Sequence, residues 1–428
     1  AAGRATLEVA GPGYRAHRQT LEIEAGAVHR VDISLRLEAE TAEEIVVDAR
    51  AGTLPAGAWL LDEGRQRSAR LSGYDGLFSA AFSVPGIQRQ AGGASFGMRG
   101  QGAERVSFVV DGIALVEPFH FRTLGSLAGT VTPGAVESVT FHRGQPPLTH
   151  GHRAGGVVEI LTAAGRGGLT GRVGVSVESA EASLGGALAR GALRWLAAYR
   201  EGRPKFPETL AELDARPSYF DGLAKVAWAL GQRHDLSLQT FTAGDEFVFT
   251  PPESPLGLEG FAPSLAIDQS SHHAAARYLL ALGSRHALEA QFSDVEVDRQ
   301  RFGFEIDDHN LGPDRPASFL LYERRETERT VGRLEGRSAL SPSLDLRWGG
   351  ASTRERTRYA YQGFIFYALA SVPPDFEDRQ DGSFLSATWR PRGDLTIDGG
   401  LRHDRSERLG ESWLLPRASI SLRRGGDG

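Results

Sequence analysis

The sequence predicts a mostly β fold with a small N-terminal β-sandwich fragment, a mixed α/β unit and an incomplete antiparallel transmembrane β-barrel. Three observations lead to this prediction. Near the N-terminus, Leu7 and Val9 alternate with polar residues and so share one face of a strand. Over residues 55–165, short apolar strands alternate with helical stretches and glycines. From residue 169 to residue 423, about twelve hairpin-like segments repeat, which is the pattern of a membrane barrel.

Composition excludes several classes of function. The formal net charge of −6 argues against a general nucleic-acid binder, because a phosphate backbone binds concentrated positive charge. The absence of cysteine excludes disulfides and thiolate metal sites. No apolar run reaches the roughly 18–20 residues of a membrane-spanning helix, whereas a barrel strand needs only about ten. The chain does not begin with Met and shows no basic and apolar leader, so we expect no signal peptide within it.

Residues 1–38 are predicted to form the β-sandwich fragment. Turns are expected at "GPGY" and "EAGA", which separate the alternating apolar residues. These features resemble the end of a carboxypeptidase-regulatory-like module whose front is missing. No zinc-ligand spacing accompanies them, so we interpret the fragment as a passive module.

An acidic linker, residues 39–54, follows this fragment. It contains "EEIVVDA", a short β-prone core with polar flanks, and such a segment can add as a strand to the sheet of another protein. The segment resembles a TonB box, by which outer-membrane receptors are gripped by TonB. The resemblance implies that TonB contacts Glu43, Glu44, Ile45, Val46, Val47 and Asp48.

Residues 55–165 carry a series of short, mostly glycine-containing motifs. They are "VPGI" at 84–87, "RG" at 99–100, "VDGI" at 110–113, "VESV" at 136–139, "RG" at 143–144, "GGVVEI" at 155–160 and Thr162. In this order they resemble the plug domain of TonB-dependent outer-membrane receptors, and we call this region the plug. The chain departs from the family pattern at "THGH", 149–152. We expect a helical stretch that stops at Pro85 and strands on both sides of Asp111 and Gly112.

Residues 166–428 are predicted to form the first part of a transmembrane barrel of about twelve strands. Apolar residues alternate in segments such as "GRVGVSVES" and "DLSLQTF", and tight polar turns precede many of them. "GLRHD" and "LPRASISL" also resemble barrel segments of the same receptor family. A plugged transporter barrel has about 22 strands. We therefore expect an open sheet with unpaired edges near Gly171 and Arg423.

The resemblance implies TonB-dependent active uptake of a nutrient across the outer membrane, in which TonB pulls on the linker and displaces the plug. The implied partners are TonB, outer-membrane lipid and a small-molecule, glycan or peptide ligand, with siderophores among the small molecules. No nucleic acid is implied. The alternative is a non-transporting outer-membrane surface protein that serves adhesion or signalling.

No catalytic or metal site is predicted. Ser95 lies in "GASFG", but a nucleophile elbow needs a strand before the serine and a helix after it, and neither is indicated. His150 and His152, like His272 and His273, lack a third metal ligand at a fixed spacing. We therefore expect neither enzymatic activity nor a cofactor.

Asp111 and Gly112 are interpreted as a tight turn between two plug strands, because Asp-Gly tolerates positive φ and no partner base lies nearby in sequence. The resemblance places the hairpin tip that follows the turn towards the ligand. The residues of this tip are Glu117, Phe119, His120 and Phe121. Aromatic side chains there offer a large contact area with little flexibility lost. The alternative is that Phe119 and Phe121 pack against the barrel.

Arg99 and Arg143 each precede a glycine beside a plug strand. The resemblance implies that both arginines reach carboxylates on the inner side of the barrel and lock the plug in place. A planar guanidinium suits this role because it holds two oxygens at once. The alternative is that both side chains are solvated in the lumen.

Overall fold

The structure is a computed structural model that describes most of the chain from residue 78 onward. The described residues are 3–9, 17–23, 58–61, 78, 80–89, 94–122, 126, 128–143, 146–151, 155–165, 167–176, 179–204, 214–250, 265–307, 317–364 and 375–422. The predicted TonB-contact segment, residues 43–48, lies outside them.

Two strands of the N-terminal fragment are described. β1 (Gly3–Val9) and β2 (His17–Ile23) form an antiparallel pair in which Leu7 lies opposite Gln19. The other residues of the fragment lie outside the described part of the chain. The regulatory-like module therefore stays a prediction.

The plug is built from short strands in one five-stranded sheet and two small pairs. The sheet contains β3 (Ala58–Leu61), β6 (Val106–Val110), β7 (Ile113–Ala114), β10 (Val136–His142) and β11 (Gly156–Thr162). Their order is β3-β10-β11-β6-β7, with β6 and β11 parallel and the other neighbours antiparallel. The pairs are β4 (Ile87–Arg89) with β5 (Phe96–Met98), and β8 (Phe119–His120) with β9 (Ala128–Gly129).

Short 3-10 helices connect the plug strands. They are Ala80–Ser83, Ala103–Arg105 and Pro133–Ala135. The first is the described part of the helical stretch predicted before Pro85, which stops there because proline lacks the N–H that continues a helix. Gly86 then turns the chain at φ +83°. No helix in the described part of the chain has the length and apolarity of a membrane span.

An aromatic cluster fills the plug core. Its rings belong to Phe78, Phe96, Phe108, Phe119 and Phe141. Phe108 and Phe119 meet edge to face with their centroids 5.0 Å apart. Such pairs each add about 0.5–1.5 kcal/mol beyond the burial of apolar area. The cluster therefore fixes β8, the strand that carries His120 to the edge of the plug.

The second large element, which we call the wall, is a twelve-stranded antiparallel sheet in which each strand pairs with its neighbour in sequence. Its strands are β12 (Thr170–Val175), β13 (Ser179–Leu188), β14 (Leu193–Gly202), β15 (Asp214–Ala229), β16 (His234–Thr250), β17 (Leu265–Leu282), β18 (His286–Asp307), β19 (Ala317–Ser341), β20 (Leu344–Phe364), β21 (Phe376–Arg392), β22 (Leu395–Ser406) and β23 (Glu411–Leu422). A 3-10 helix, Ala189–Gly191, joins β13 to β14. The wall contacts the plug, and β12 and β23 are its edges in the described chain. The predicted fold class, mostly β with an α/β plug and a partial barrel, is confirmed.

Side chains of the wall alternate between a face that meets the plug and an outer face. On β15, Asp221 and Leu223 are buried, whereas Val226 and Trp228 are exposed. Apolar side chains recur on the outer face, and Val175 there is 81% exposed. The outer face therefore has the apolar character that contact with lipid requires.

Candidate functional site: the contacts between plug and wall

One contact between plug and wall centres on His120, which is completely buried. Its Nδ1 contacts Oδ1 of Asp245 on β16, and its Nε2 lies 3.3 Å from Oδ2 of Asp221 on β15. Both aspartates are buried on the inner face of the wall. The ring of Tyr219 lies beside the imidazole, with 4.3 Å between centroids.

The two aspartates bind further groups of both plug and wall. Asp245 accepts a hydrogen bond from the backbone N–H of Phe121 at 2.7 Å. Asp221 accepts one from the hydroxyl of Thr132 in the plug and pairs with Arg200 of β14 at 2.6 Å. Arg200 also donates to the carbonyl of Gly129. We name the set of His120, Thr132, Arg200, Asp221 and Asp245 the His120 cluster.

The geometry favours a protonated His120. A neutral imidazole has one N–H and one acceptor nitrogen, whereas here each ring nitrogen faces a carboxylate oxygen. Burial lowers the pKa of His120, but the charges and hydrogen bonds of Asp245 and Asp221 raise it more, so the pKa lies above its ordinary value of 6.5. Two cations, His120 and Arg200, then balance two carboxylates in a buried site.

A second contact is made by the Asp-Gly turn between β6 and β7. Asp111 and Gly112 have φ of +46° and +87°, and the backbone carbonyl of Asp111 accepts a hydrogen bond from Gln291 of β18 at 2.9 Å. The Asp111 carboxylate binds Nζ of Lys225 on β15 at 3.1 Å and the N–H of Thr162 at 3.1 Å. Asp111 thus occupies the turn and also pairs with the wall.

A third contact lies at the far strands of the wall. Arg402 of β22 donates to the carbonyl of Leu148 at 2.7 Å, and Arg417 of β23 donates to the carbonyl of Pro146. Arg402 is buried and also pairs with Asp404 at 2.8 Å. We name these two donations to plug backbone the carbonyl contact.

Arg99 and Arg143, which were predicted to lock the plug, are not among the residues of the three contacts described above. Arg143 donates to the carbonyl of Pro85 within the plug. Arg99 is exposed at φ +52° and has no salt bridge with a described residue. A contact between these arginines and wall carboxylates therefore stays a prediction.

The four residues expected to face the ligand are buried in the structure, and two of them contact the wall. Phe119 belongs to the aromatic core, while His120 and the backbone of Phe121 bind the wall. Glu117 is 2% exposed and pairs with Arg122 at 3.2 Å. A contact of these four residues with a ligand therefore stays a prediction.

Of the two histidine pairs noted in the sequence, His152 lies outside the described residues, and His150 and His272 each contact another side chain. Nε2 of His142 and of His150 lie 2.6 Å and 2.7 Å from the two oxygens of Glu159. Burial raises the pKa of Glu159, but hydrogen bonds from both histidines lower it further, to well below its ordinary value. His272 binds the hydroxyl of Thr242 at 3.1 Å. Among the described residues, no group of three His, Cys, Asp or Glu is arranged to hold a metal.

A family model described as the TonB-dependent receptor plug domain matches residues 71–158. No curated protein sequence matches the chain. The described fold does have counterparts among solved structures.

The siderophore receptor PirA from Acinetobacter baumannii is 15% identical with a TM-score of 0.62, over 86% of this chain and 59% of that chain. PirA from Pseudomonas aeruginosa is 16% identical with a TM-score of 0.62, over 88% and 60%. The ferric citrate transporter FecA is 14% identical with a TM-score of 0.58, over 85% and 59%. The chain spans about three fifths of the length of these structures. Residues 71–158 thus match the plug domain of TonB-dependent receptors, and the described fold, a plug seated against a twelve-stranded wall, is similar to part of the structures of such receptors.

Proposed function

We propose that the chain belongs to a receptor that takes up its ligand across the outer membrane by TonB-dependent transport. The observation that carries this proposal is the seating of the plug, which binds β14–β16, β18, β22 and β23 through buried and partly buried polar contacts. A plug held in this way blocks the lumen. Passage of a ligand then requires energy that breaks these contacts.

TonB supplies that energy through residues 43–48 in this proposal. A segment captured by strand addition needs its backbone N–H groups, and proline removes one of them. We expect Val46→Pro in the full-length receptor to abolish uptake and to leave ligand binding at the cell surface unchanged. Val46→Ile, which keeps the N–H and the β propensity, is the matched control and retains uptake. Unchanged uptake in Val46→Pro and in a deletion of residues 43–48 favours the adhesion or signalling alternative.

The cargo we propose is an anionic metal chelate. Structures similar in fold are described as siderophore receptors, a ferric citrate transporter and a copper transporter. On the wall, Arg299 of β18 lies directly opposite Arg325 of β19. Both share the inner face with Val295, which packs against the plug, because alternate residues of a strand face the same side. Like charges placed directly opposite each other are destabilising, and an anion bound between them relieves this cost.

The cargo is tested by binding to the full-length receptor. We expect Arg325→Gln to weaken the binding of an anionic ferric siderophore about tenfold or more, because a charge-assisted hydrogen bond is lost. The control Arg354→Gln removes an arginine that is 73% exposed and pairs with Glu377, and leaves binding unchanged. Equal binding by all three proteins, together with binding of a neutral glycan or peptide, would exclude the anionic cargo and leave the uptake proposal standing.

A further inference from the structure

The His120 cluster contains one group whose charge changes near neutral pH. Arginine stays protonated throughout the accessible range, and histidine is the side chain whose ordinary pKa lies closest to neutrality. His120 is the plug's only charged member of the cluster, and it bridges two strands of the wall. The strength of the contact between the wall and this part of the plug therefore depends on the protonation of His120.

We propose that His120 is a proton-dependent latch: its imidazolium form holds residues 119–122 and 128–132 of the plug on the wall, and loss of the proton weakens that hold. Without the proton, one ring nitrogen presents a lone pair to a carboxylate oxygen. The cluster also keeps one uncompensated negative charge in a buried site, which is unfavourable. The use of this latch in plug release rests on the proposed function, whereas the latch itself is a property of the resting protein.

The other charged groups around His120 are accounted for on each element packed against it. In the plug, Glu117 is paired with Arg122. On β13, Glu181 lies opposite Arg200 in the strand pairing. β14, β15 and β16 contribute Arg200, Asp221 and Asp245, and Tyr219 lies beside the ring. On β17, the residues paired with Asp245 and Ala243 are the neutral Gln269 and Ser271.

The backbone beside His120 is held in a conformation that favours release once the latch weakens. Phe121 has φ +53° and Ser126 has φ +57°, although neither is glycine. Such residues persist at positive φ when their surroundings hold them there. The N–H of Phe121 is bound by Asp245, the same carboxylate that contacts the His120 ring. Loss of the His120 contact therefore also removes support from the strained backbone.

The direction of the pH dependence follows from the raised pKa of His120. The protonated form is favoured in the folded state, so the latch contributes fully below the ordinary histidine pKa of 6.5. Its contribution is lost as the pH rises through the raised pKa. A rise in pH above 6.5, rather than a fall, is thus predicted to weaken the hold on residues 119–122 and 128–132.

The test is hydrogen exchange of the full-length, ligand-free receptor in lipid bilayers from pH 6 to pH 10, corrected for the intrinsic exchange rate. In the wild type, we expect protection of residues 119–132 to fall by up to about tenfold per pH unit between the ordinary histidine pKa of 6.5 and the raised pKa of His120, and to level off above it. His120→Gln gives low protection that does not follow this profile. His120→Lys keeps a cation to higher pH and moves the loss upward. His150→Gln, a plug histidine bound to Glu159 instead, retains the wild-type profile.

Two results would overturn the latch. One is a wild-type protection of residues 119–132 that stays constant across the whole pH range. The other is the same pH profile in wild type and His120→Gln. If His120→Gln does not fold, as judged by lost protection of β10 and β11, the wild-type profile and the upward shift in His120→Lys decide the question. Uptake is measured separately, so a receptor that exchanges as expected but transports nothing counts against the proposed function alone.

Discussion

The plug is held by different chemistry at the two sides of the wall. At β14–β16, the His120 cluster joins ionised side chains of both partners in a buried site. At β22 and β23, the carbonyl contact uses arginines of the wall and backbone oxygens of the plug. The first arrangement depends on the identity of residues in both partners, whereas the second depends on the path of the plug backbone. Removing one member of the His120 cluster leaves a buried charge without its partner. A single substitution is therefore expected to cost more stability there than at the carbonyl contact.

The largest effect is expected from Asp221→Ala. This change removes a buried carboxylate that both His120 and Arg200 contact. Removing one partner of a buried ion pair typically costs about 3–5 kcal/mol of stability. Hydrogen exchange of the plug in the full-length receptor measures the loss of opening free energy. The control Asp235→Ala removes a partly exposed carboxylate that pairs with Arg194 at 3.1 Å, and its cost is within about 1 kcal/mol. Equal costs for the two variants would contradict the importance of burial.

Gly112→Ala is expected to have the next largest effect, because it disturbs the turn that meets β18 and β19. A Cβ there lies 2.6 Å from Nη2 of Arg333 and 2.6 Å from Oε1 of Gln291, and φ is +87°. Positive φ costs about 1–2 kcal/mol, and moving the end of Gln291 breaks its hydrogen bond to the carbonyl of Asp111, which costs about 0.5–1.5 kcal/mol more. Gly100→Ala is the matched control, since its φ is +77° but no atom lies within 4 Å of its Cβ. A smaller loss in Gly100→Ala isolates the contact with the wall from the backbone strain.

Lys225→Met tests whether the Asp111 pair behaves like the His120 cluster. Asp111 keeps its hydrogen bonds from the N–H and hydroxyl of Thr162, so the carboxylate is not left without partners. We expect a loss of about 1–2 kcal/mol in the unfolding free energy of the plug, measured by denaturant titration. A loss as large as that of Asp221→Ala would mean that the two ionic contacts carry similar weight.

The smallest effect is expected at the carbonyl contact. Arg417→Gln removes a charged donor to the carbonyl of Pro146 but keeps an amide that can donate in its place. The expected loss is about 0.5–1.5 kcal/mol, and protection near residues 146–151 reports it. If this variant loosens the plug more than Lys225→Met does, the ranking of the two sides is wrong.

The architecture could be predicted from the sequence, because it depends on local patterns of residues. Alternating residues predicted the wall, and "VDGI" predicted strands on both sides of a turn, as β6 and β7 are. In the helical stretch predicted before Pro85, Phe78 is α-helical and Ala80–Ser83 is a short 3-10 helix. Local patterns suffice where a strand's face and its turn residues decide its conformation.

The site was harder to predict, because its contacts join distant parts of the chain. His120 was singled out as a ligand-facing residue, yet its partners Asp221 and Asp245 lie 101 and 125 residues away. One signal was present: Asp221 lies two residues from the apolar Leu223 on the same strand, so it shares the buried face. A carboxylate on a buried face needs a partner. The sequence does not show which plug residue provides it.

We infer that the ionic pairing of His120 with the wall holds the plug. A double-mutant cycle tests it most directly, with His120→Gln, Asp245→Asn and the double variant in the full-length receptor. Hydrogen exchange of residues 119–132 at pH 6 gives the opening free energy of each protein. We predict a coupling energy of about 2 kcal/mol or more, because the two residues are in direct contact in a buried site. Effects that add within about 0.5 kcal/mol would contradict the claim.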